Sequence, residues 1–328
     1  MIQKLSLKGF KSFVDETIEL APLTVLTGLN SSGKSSVIQA IRMFSALYKG
    51  KSALLDGHGG LQELRSRMAD SMVMSLHFAD GSEQFFNDGE YNGHDIKRYP
   101  TITYIGADRF GPQSTIPILN DNYEIGEKGD NTLNCLNYYS EHILDERLKP
   151  ADAEGLTLEY MVKGWLKYIS PNVKFDYKID SKADISYGTY DGNRAANVGF
   201  GLSYTLPIIV ALLVSTIIPG SVVLIENPEA HLHPKGQTEM GRLIGQCVEC
   251  GAQVVVETHS DHLFDGLRIF TKHTPGFSKK FNAYWFERSV EEGSSVFKVH
   301  IDDDGRYDVN CPTGFFDQFE INAASLLF

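Results

Sequence analysis

The sequence predicts an α/β fold around a mixed, largely parallel sheet. Three observations carry that prediction: short apolar runs ending in polar residues ("LTVLTG", "VVLIE", "VVVETHS"), helix-period stretches between them, and a Gly/Ser-rich octet, "GLNSSGKS", joining the first run to a helical pattern. Strands of a parallel sheet read as continuous apolar runs because helices cover both faces. Alternation of such runs with helices implies crossover connections and a sheet of this kind.

In chain order, "IQKLSLKGFKSFVDETIEL" alternates apolar and polar residues and reads as two antiparallel strands joined near Lys11. "LTVLTGLNSSGKSSVIQAIRMFSALY" follows as strand, loop and helix, with Val37, Ile38, Ile41, Phe44 and Leu47 at helical spacing. Residues 71–86 read as a hairpin around Asp80-Gly81, and "TITYIGADRFGP" as a strand ending in a loop. The stretch 113–196 is more polar, with a helix at "TLEYMVKGWLKYI" and short strands in "VKFDYKIDSKADISYGTYDG". It carries no heptad run, so no coiled coil is expected. A helix from about Ser203, the strand "SVVLIE", a helix from about Pro234 to Cys250, the strand "AQVVVETHS" and another helix come next. The strands "AYWFER" and "SSVFKVHID" and a terminal "PTGFFDQF" close the chain.

With 328 residues, 42% of them hydrophobic, the chain is long enough for a sizeable buried core. A net charge of −12 argues against holding nucleic acid by phosphate neutralisation over the whole surface, although a local basic groove stays open. Four cysteines and an N-terminus without a charged-then-apolar leader fit the reducing cytoplasm. The apolar run from Leu206 to Ile225 is broken at Pro219-Gly220, so it reads as a buried helix and strand and no membrane association is expected. Cys247-x-x-Cys250 lacks the second pair that a structural zinc site takes and reads as the plain end of a helix.

The octet "GLNSSGKS" is a full G-x-x-x-x-G-K-[S/T] between a strand and a helix, the context the phosphate-binding loop requires. Gly28, Leu29, Asn30, Ser31, Ser32, Gly33, Lys34, Ser35 and Ser36 are the expected nucleotide-binding residues. Backbone N–H groups and the helix dipole favour an anion, Lys34 supplies charge to the β/γ-phosphates, and Ser35 suits Mg²⁺. A loop of this kind works with a second strand ending in a carboxylate, and Val222–Glu226 supplies one. Glu226 is therefore the expected metal-side acid, its length favouring contact through water. In "VVLIENPEAHLHP" the pairs Glu226/Glu229 and His231/His233 also suit a metal centre or an acid/base pair, and only the rest of the chain chooses. "VVVETHS" repeats the pattern of a buried strand with a polar end, which places His259 to reach a γ-phosphate.

As a set, "IQKLSLKGFKSF" before the octet, "IENPEAHLHP" and "ETHS" resemble the ATP-binding-cassette ATPases of the SMC/RecF class. More closely they resemble AAA-type ATPases of the overcoming-lysogenization-defect group and short stand-alone AAA ATPases with a C-terminal "GFFDQ"-like segment. The resemblance covers most of residues 1–60 and 195–328. It implies a P-loop NTPase with an SMC-head-like mixed sheet: an N-terminal lobe with the Walker A loop (1–112), an inserted α+β subdomain (113–196) and a C-terminal lobe with the signature-like, Walker B and His-switch motifs (197–328).

The resemblance further implies ATP and Mg²⁺ as cofactors and a head that closes on ATP with a second copy, as a homodimer or higher homo-oligomer. Gly199, Gly201 and Ser203 of "NVGFGLSYTLP" match the signature that acts in trans, departing from its Ser-Gly-Gly-Gln form. Arg109 falls where a phosphate- or partner-facing residue is expected, and Gln113 where a metal-sensing glutamine is. Asn227 stands where the family has its second acid, so either Glu229 polarises the attacking water or hydrolysis is slow. His231 and His233 fall in the loop that crosses the dimer interface. The function implied is an ATP-hydrolysing switch controlling a separate effector (a nuclease or toxin) or a nucleic-acid transaction, in prokaryotic anti-phage defence or DNA maintenance. The alternatives are a self-contained nuclease using "DDDG" at Asp302 to Gly305, against which an acidic hairpin turn is the plainer reading, and a transporter's nucleotide-binding subunit docking through Leu206–Ile218.

Overall fold

The computed structural model describes the chain except residues 94, 95, 97, 120, 121, 152, 172, 309, 310, 313 and 328. It divides into two compact units, Met1–Ile102 with Gly276–Phe328, and Thr103–Pro275.

In the first unit a five-stranded antiparallel sheet runs in the order Phe13–Glu19, Ile2–Phe10, Val73–Phe78, Glu83–Asn87, Glu90–Asn92. The first two strands pair in the register Leu5↔Ile18 and Phe10↔Phe13 and reverse at Lys11, whose φ is 52°. Leu5, Leu7, Phe10, Phe13 and Ile18 are all fully buried, as the alternation anticipates. In a second, mixed sheet Phe281–Ser289 lies parallel to Leu23–Gly28 and antiparallel to Gly293–Val299. Every residue of Leu23–Gly28 is buried, the pattern of a strand covered on both faces. The helix Lys34–Tyr48 follows, burying Val37, Ile38, Ile41 and Phe44.

The terminal "GFFDQ" segment belongs to the packing of this unit. Phe315 is 2% exposed, its ring edge-on to Trp285 at 5.9 Å and to Tyr307 at 5.2 Å. A helix, Gln318–Leu327, follows it, which the sequence reading leaves out. "DDDG" is a turn: Ile301 bridges Tyr307, the Asp302 N–H donates to the Arg306 carbonyl at 2.9 Å, and the Asp302 side chain accepts the Arg306 N–H at 2.8 Å.

In the second unit Val222–Glu226 and Gln253–Glu257 pair in parallel, Val223 opposite Val254 and Glu226 opposite Glu257. The helix Phe200–Ser215 is apolar on all sides and packs against Thr132–Tyr139, Leu158–Ile169 and Pro234–Glu249. It begins before the expected Ser203, with Gly199 as its N-cap. Phe175–Asp180 and Ile185–Tyr190 form an antiparallel hairpin. The stretch 113–196 thus packs with 197–275 inside one unit, a different partition from the three lobes expected along the chain. Helices Pro234–Glu249 and Asp261–His273 meet where Gly241 and Gly266 leave room for each other's backbone: a Cβ at Gly241 would lie 2.3 Å from the Leu263 carbonyl oxygen.

Cys247 is buried within Pro234–Glu249 and Cys250 is that helix's C-cap. Among the described residues no helix is long and apolar enough to cross a membrane, and no group of three or more His, Cys, Asp or Glu side chains is gathered to hold a metal.

Candidate functional site

In the first unit the loop after Leu23–Gly28 has the conformation its glycines allow. Gly28 and Gly33 have φ of 139° and 109°, and Ser31 is left-handed at 62°. A side chain on Gly28 would meet the Phe286 carbonyl oxygen at 2.2 Å, and one on Gly33 the Phe13 ring at 2.8 Å. Ser294, on the strand Gly293–Val299, braces the loop: its hydroxyl donates to the Ser32 carbonyl at 2.7 Å and accepts from the Ser12 hydroxyl at 2.6 Å.

Lys34 is 3% exposed, and its ammonium donates to the carbonyls of Leu29 (2.7 Å) and Gly28 (3.1 Å). Gly33, the N-cap of the Lys34–Tyr48 helix, supplies no side-chain acceptor to the helix start, and its carbonyl accepts the Ser36 N–H at 3.0 Å. Leu29, Asn30, Ser31 and Ser35 are exposed, while Ser32 and Ser36 are buried.

In the second unit the turn after Val222–Glu226 gathers four of the residues singled out from the sequence. Asn227 is left-handed, φ 46°, a conformation that asparagine tolerates better than most residues. Its N–H donates to the Glu257 carbonyl at 2.9 Å, carrying the parallel pairing one residue past the strand. Glu226 accepts the Ala107 N–H at 3.3 Å. Glu229 turns its carboxylate to the backbone of the neighbouring strand end, Oε1 accepting the His259 N–H at 2.8 Å.

Burial raises the Glu229 carboxyl above the ordinary glutamate range; the N–H groups of His259 and Glu229, the Thr258 hydroxyl and Arg109 pull the other way without cancelling it. Its Oε2, like Oδ1 of Asn227, is buried and accepts no hydrogen bond from the described residues. The imidazole of His259 is exposed at the start of the Asp261–His273 helix, which Ser260 caps by accepting the Leu263 N–H at 2.9 Å.

Arg109 departs from its expected place. It is 3% exposed, and its guanidinium donates to the carbonyls of Gly106 (2.7 Å), Glu226 (2.7 Å) and Asn227 (2.8 Å). The fork thus ties Gly106 to the turn that follows Val222–Glu226. Gln113 is not gathered with this turn; it is exposed and lines a cavity of about 40 Å³ with Ser203, Pro207 and Tyr190.

Of the signature-like residues, Gly199 and Gly201 flank Phe200. A Cβ on Gly201 would meet the His231 carbonyl oxygen at 2.7 Å. The two histidines of the loop differ: the His231 ring packs on Tyr204 (4.7 Å) and Phe200 (5.8 Å), whereas His233 caps the Pro234–Glu249 helix, Nδ1 accepting the Lys235 N–H at 3.3 Å. His233 therefore has a local structural task, because helix N-termini leave N–H groups that need acceptors.

A family model described as "AAA domain, putative AbiEii toxin, Type IV TA system" matches residues 23–265. The chain belongs to this AAA-domain family. A second model, described as a protein of unknown function (DUF3696), matches residues 278–326. No curated protein matches.

Among solved structures the AAA-domain protein is similar to an Smc head bound to the C-winged helix domain of ScpA (TM-score 0.55, 16% identity, 92% of this chain and 98% of that one). It is also similar to the SMC head domain from Thermotoga maritima (0.50, 15%, 92% and 99%). A third is an Smc head domain with an extended coiled coil bound to the C-terminal domain of ScpA, from Pyrococcus furiosus (0.51, 14%, 100% and 99%). The protein thus combines an AAA domain with an SMC-head-like α/β fold.

The loop fits a nucleotide on its own evidence: a buried ammonium donating to loop carbonyls, two positive-φ glycines and a helix start without a side-chain cap form an anion cradle. Sequence reasoning missed Tyr204 and the inward role of Arg109. Local pattern gives no signal for either, because their partners lie far along the chain.

Proposed function

We propose that the protein is an ATP-dependent switch whose water-activating carboxylate is Glu229. The observation that carries this reading is the Glu229 carboxylate: raised by burial, anchored through Oε1 to the His259 N–H, and keeping a buried acceptor, Oε2, on the same turn as Glu226. A carboxylate of raised pKa is a stronger base than an ordinary one, and general-base catalysis favours a pKa nearer the working pH. Asn227 cannot take a proton; its carboxamide suits holding a water.

In this reading Gly28 to Ser36 bind the phosphates of ATP, with Lys34 released from the Leu29 and Gly28 carbonyls to the β/γ-phosphates. Ser35 and Glu226 are the magnesium-side oxygens, and His259 senses the γ-phosphate. ATP supplies the phosphoryl group whose transfer to water resets the switch. Gly199, Gly201 and Ser203 act on the nucleotide of a second copy, and closure and opening of the pair is the output. The recipient is a separate effector of nuclease or toxin type, or nucleic acid, in anti-phage defence or DNA maintenance; the Smc heads bound to ScpA domains are an analogy for a head that takes a protein partner.

The test is sizing and ATP turnover for the wild type, Glu226→Gln and Glu229→Gln. The expected outcome is a mass that doubles with ATP and Mg²⁺, turnover in the wild type only, and an ATP-held dimer that persists in Glu229→Gln. A mass that ATP never changes sinks the switch reading, and unimpaired turnover in Glu229→Gln sinks the assignment of the base.

A further inference from the structure

The turn from Glu226 to His231 is held from behind by a chain of contacts that runs to an exposed aromatic residue. At one end, Arg109 donates Nη1 to the Glu226 carbonyl and Nη2 to the Asn227 carbonyl, while Nη1 also holds Gly106. Hydrogen bonds from a charged donor are the stronger kind, and the planar fork fixes the direction of both carbonyls together.

The Arg109 guanidinium carbon lies 5.4 Å from the centre of the Tyr204 ring, within the range of a cation–π contact. Tyr204 in turn meets His231 edge-on at 4.7 Å. Phe200, 56% exposed, lies 6.2 Å from Tyr204 and 5.8 Å from His231, and the backbone oxygen of His231 occupies the space that Gly201 leaves. The two left-handed residues that shape the turn, Asn227 (φ 46°) and His231 (φ 63°), are thus braced by one helix start, His231 directly and Asn227 through Arg109. Glu229 lies between them.

The geometry points to Arg109 and Tyr204 as positioning residues that set the Glu226–His231 turn, and with it the Glu229 carboxylate, in its working arrangement. This rests on the reading of Glu229 as the water-activating group. Both act through the turn: Arg109 is buried with its fork on carbonyls, and Tyr204 acts through it and through His231. A reacting group displaced by about 1 Å costs on the order of a hundredfold in rate, so a brace of this kind acts on turnover and not on nucleotide affinity.

The experiment compares Arg109→Met, Arg109→Lys, Tyr204→Leu and Tyr204→Phe with the wild type in full-length protein. It reads kcat, KM for ATP, and backbone hydrogen exchange at Asn227 and His259, whose N–H groups bond to the Glu257 carbonyl and to Glu229. Expected are a fall in kcat of about ten- to a hundredfold in Arg109→Met and Tyr204→Leu with KM within about threefold of wild type, faster exchange at both amides, and recovery in Tyr204→Phe, which keeps the ring. Arg109→Lys, which keeps the charge but loses the fork, is expected to stay impaired.

A rise in KM with kcat intact places Arg109 on the phosphate and overturns the inference. So do unchanged exchange in Arg109→Met and full activity in Tyr204→Leu. A wild type without ATP turnover sinks the ATPase switch reading instead, and the exchange measurement then decides the brace by itself.

Discussion

The Glu229 carboxylate accepts the backbone N–H of His259 at 2.8 Å, tying the loop after one parallel strand to the end of the next. Because Glu226 and Glu257 are register partners on those strands, the loop beyond Glu226 and the polar tail beyond Glu257 leave the sheet side by side. A carboxylate in that position is desolvated by its neighbours while a backbone donor fixes its orientation. Both effects suit a base.

Replacing Glu229 with glutamine keeps an acceptor for the His259 N–H and removes the titrating group. Turnover is expected to fall by about 10²–10⁴-fold. Stability should move the other way with pH. The folded pKa of Glu229 is raised, so its contribution to stability is fully present below the unfolded glutamate value and is lost as pH rises through the folded one. Glutamine loses nothing over that range. The melting temperature of Glu229→Gln minus that of wild type should therefore grow from acid to neutral pH, checked by thermal melts in a buffer series.

Lys34→Ala removes a buried ammonium that donates to the loop carbonyls of Gly28 and Leu29. Charged hydrogen bonds are worth about 1.5–3 kcal/mol, so ATP affinity should weaken about ten- to a hundredfold. Titration calorimetry with ATP and Mg²⁺ checks this. The fold is expected to survive, since the side chain caps no helix and fills no apolar core.

Asn227 has a conformational task besides any chemical one. With φ at 46°, Asn227→Ala is expected to cost about 1–2 kcal/mol, the penalty of a left-handed residue with a Cβ and no polar compensation, whereas Asn227→Gly is expected to stay within about 1 kcal/mol of wild type. Denaturant melts of the two variants separate backbone strain from the carboxamide's role in turnover. Equal losses in both would remove the conformational argument.

What the sequence made legible was local. The phosphate-binding loop, the strands on either side of it and the acidic strand end could be read because each motif is contiguous and its period shows through. The helix start at Phe200 was placed late because Gly199 is its cap, while the apolar run that marks the helix begins only at Leu206. Thr132–Tyr139 escaped because "TLNCLNYY" is half polar and buries only one face. His233 caps a helix, and Arg109 holds two carbonyls more than a hundred residues away; neither contact shows in the local pattern. Long-range partners leave no local pattern in a chain.

Gly201 offers the sharpest separation of binding from assembly. Its missing side chain admits the His231 carbonyl, and a Cβ there would lie 2.7 Å from that oxygen, closer than Cβ contacts occur. Alanine must push the helix start and the 227–231 loop apart, displacing Phe200 and His231 together. The phosphate-binding loop contains none of these residues, so ATP affinity should stay within about threefold of wild type. ATP-dependent dimerisation should be weakened by about tenfold or more, since about 1.4 kcal/mol of misfit at an interface suffices for that factor. Sedimentation with and without ATP, paired with nucleotide titration, checks both halves. A variant that binds ATP and still dimerises with wild-type affinity would show that this helix start lies outside the contact between copies.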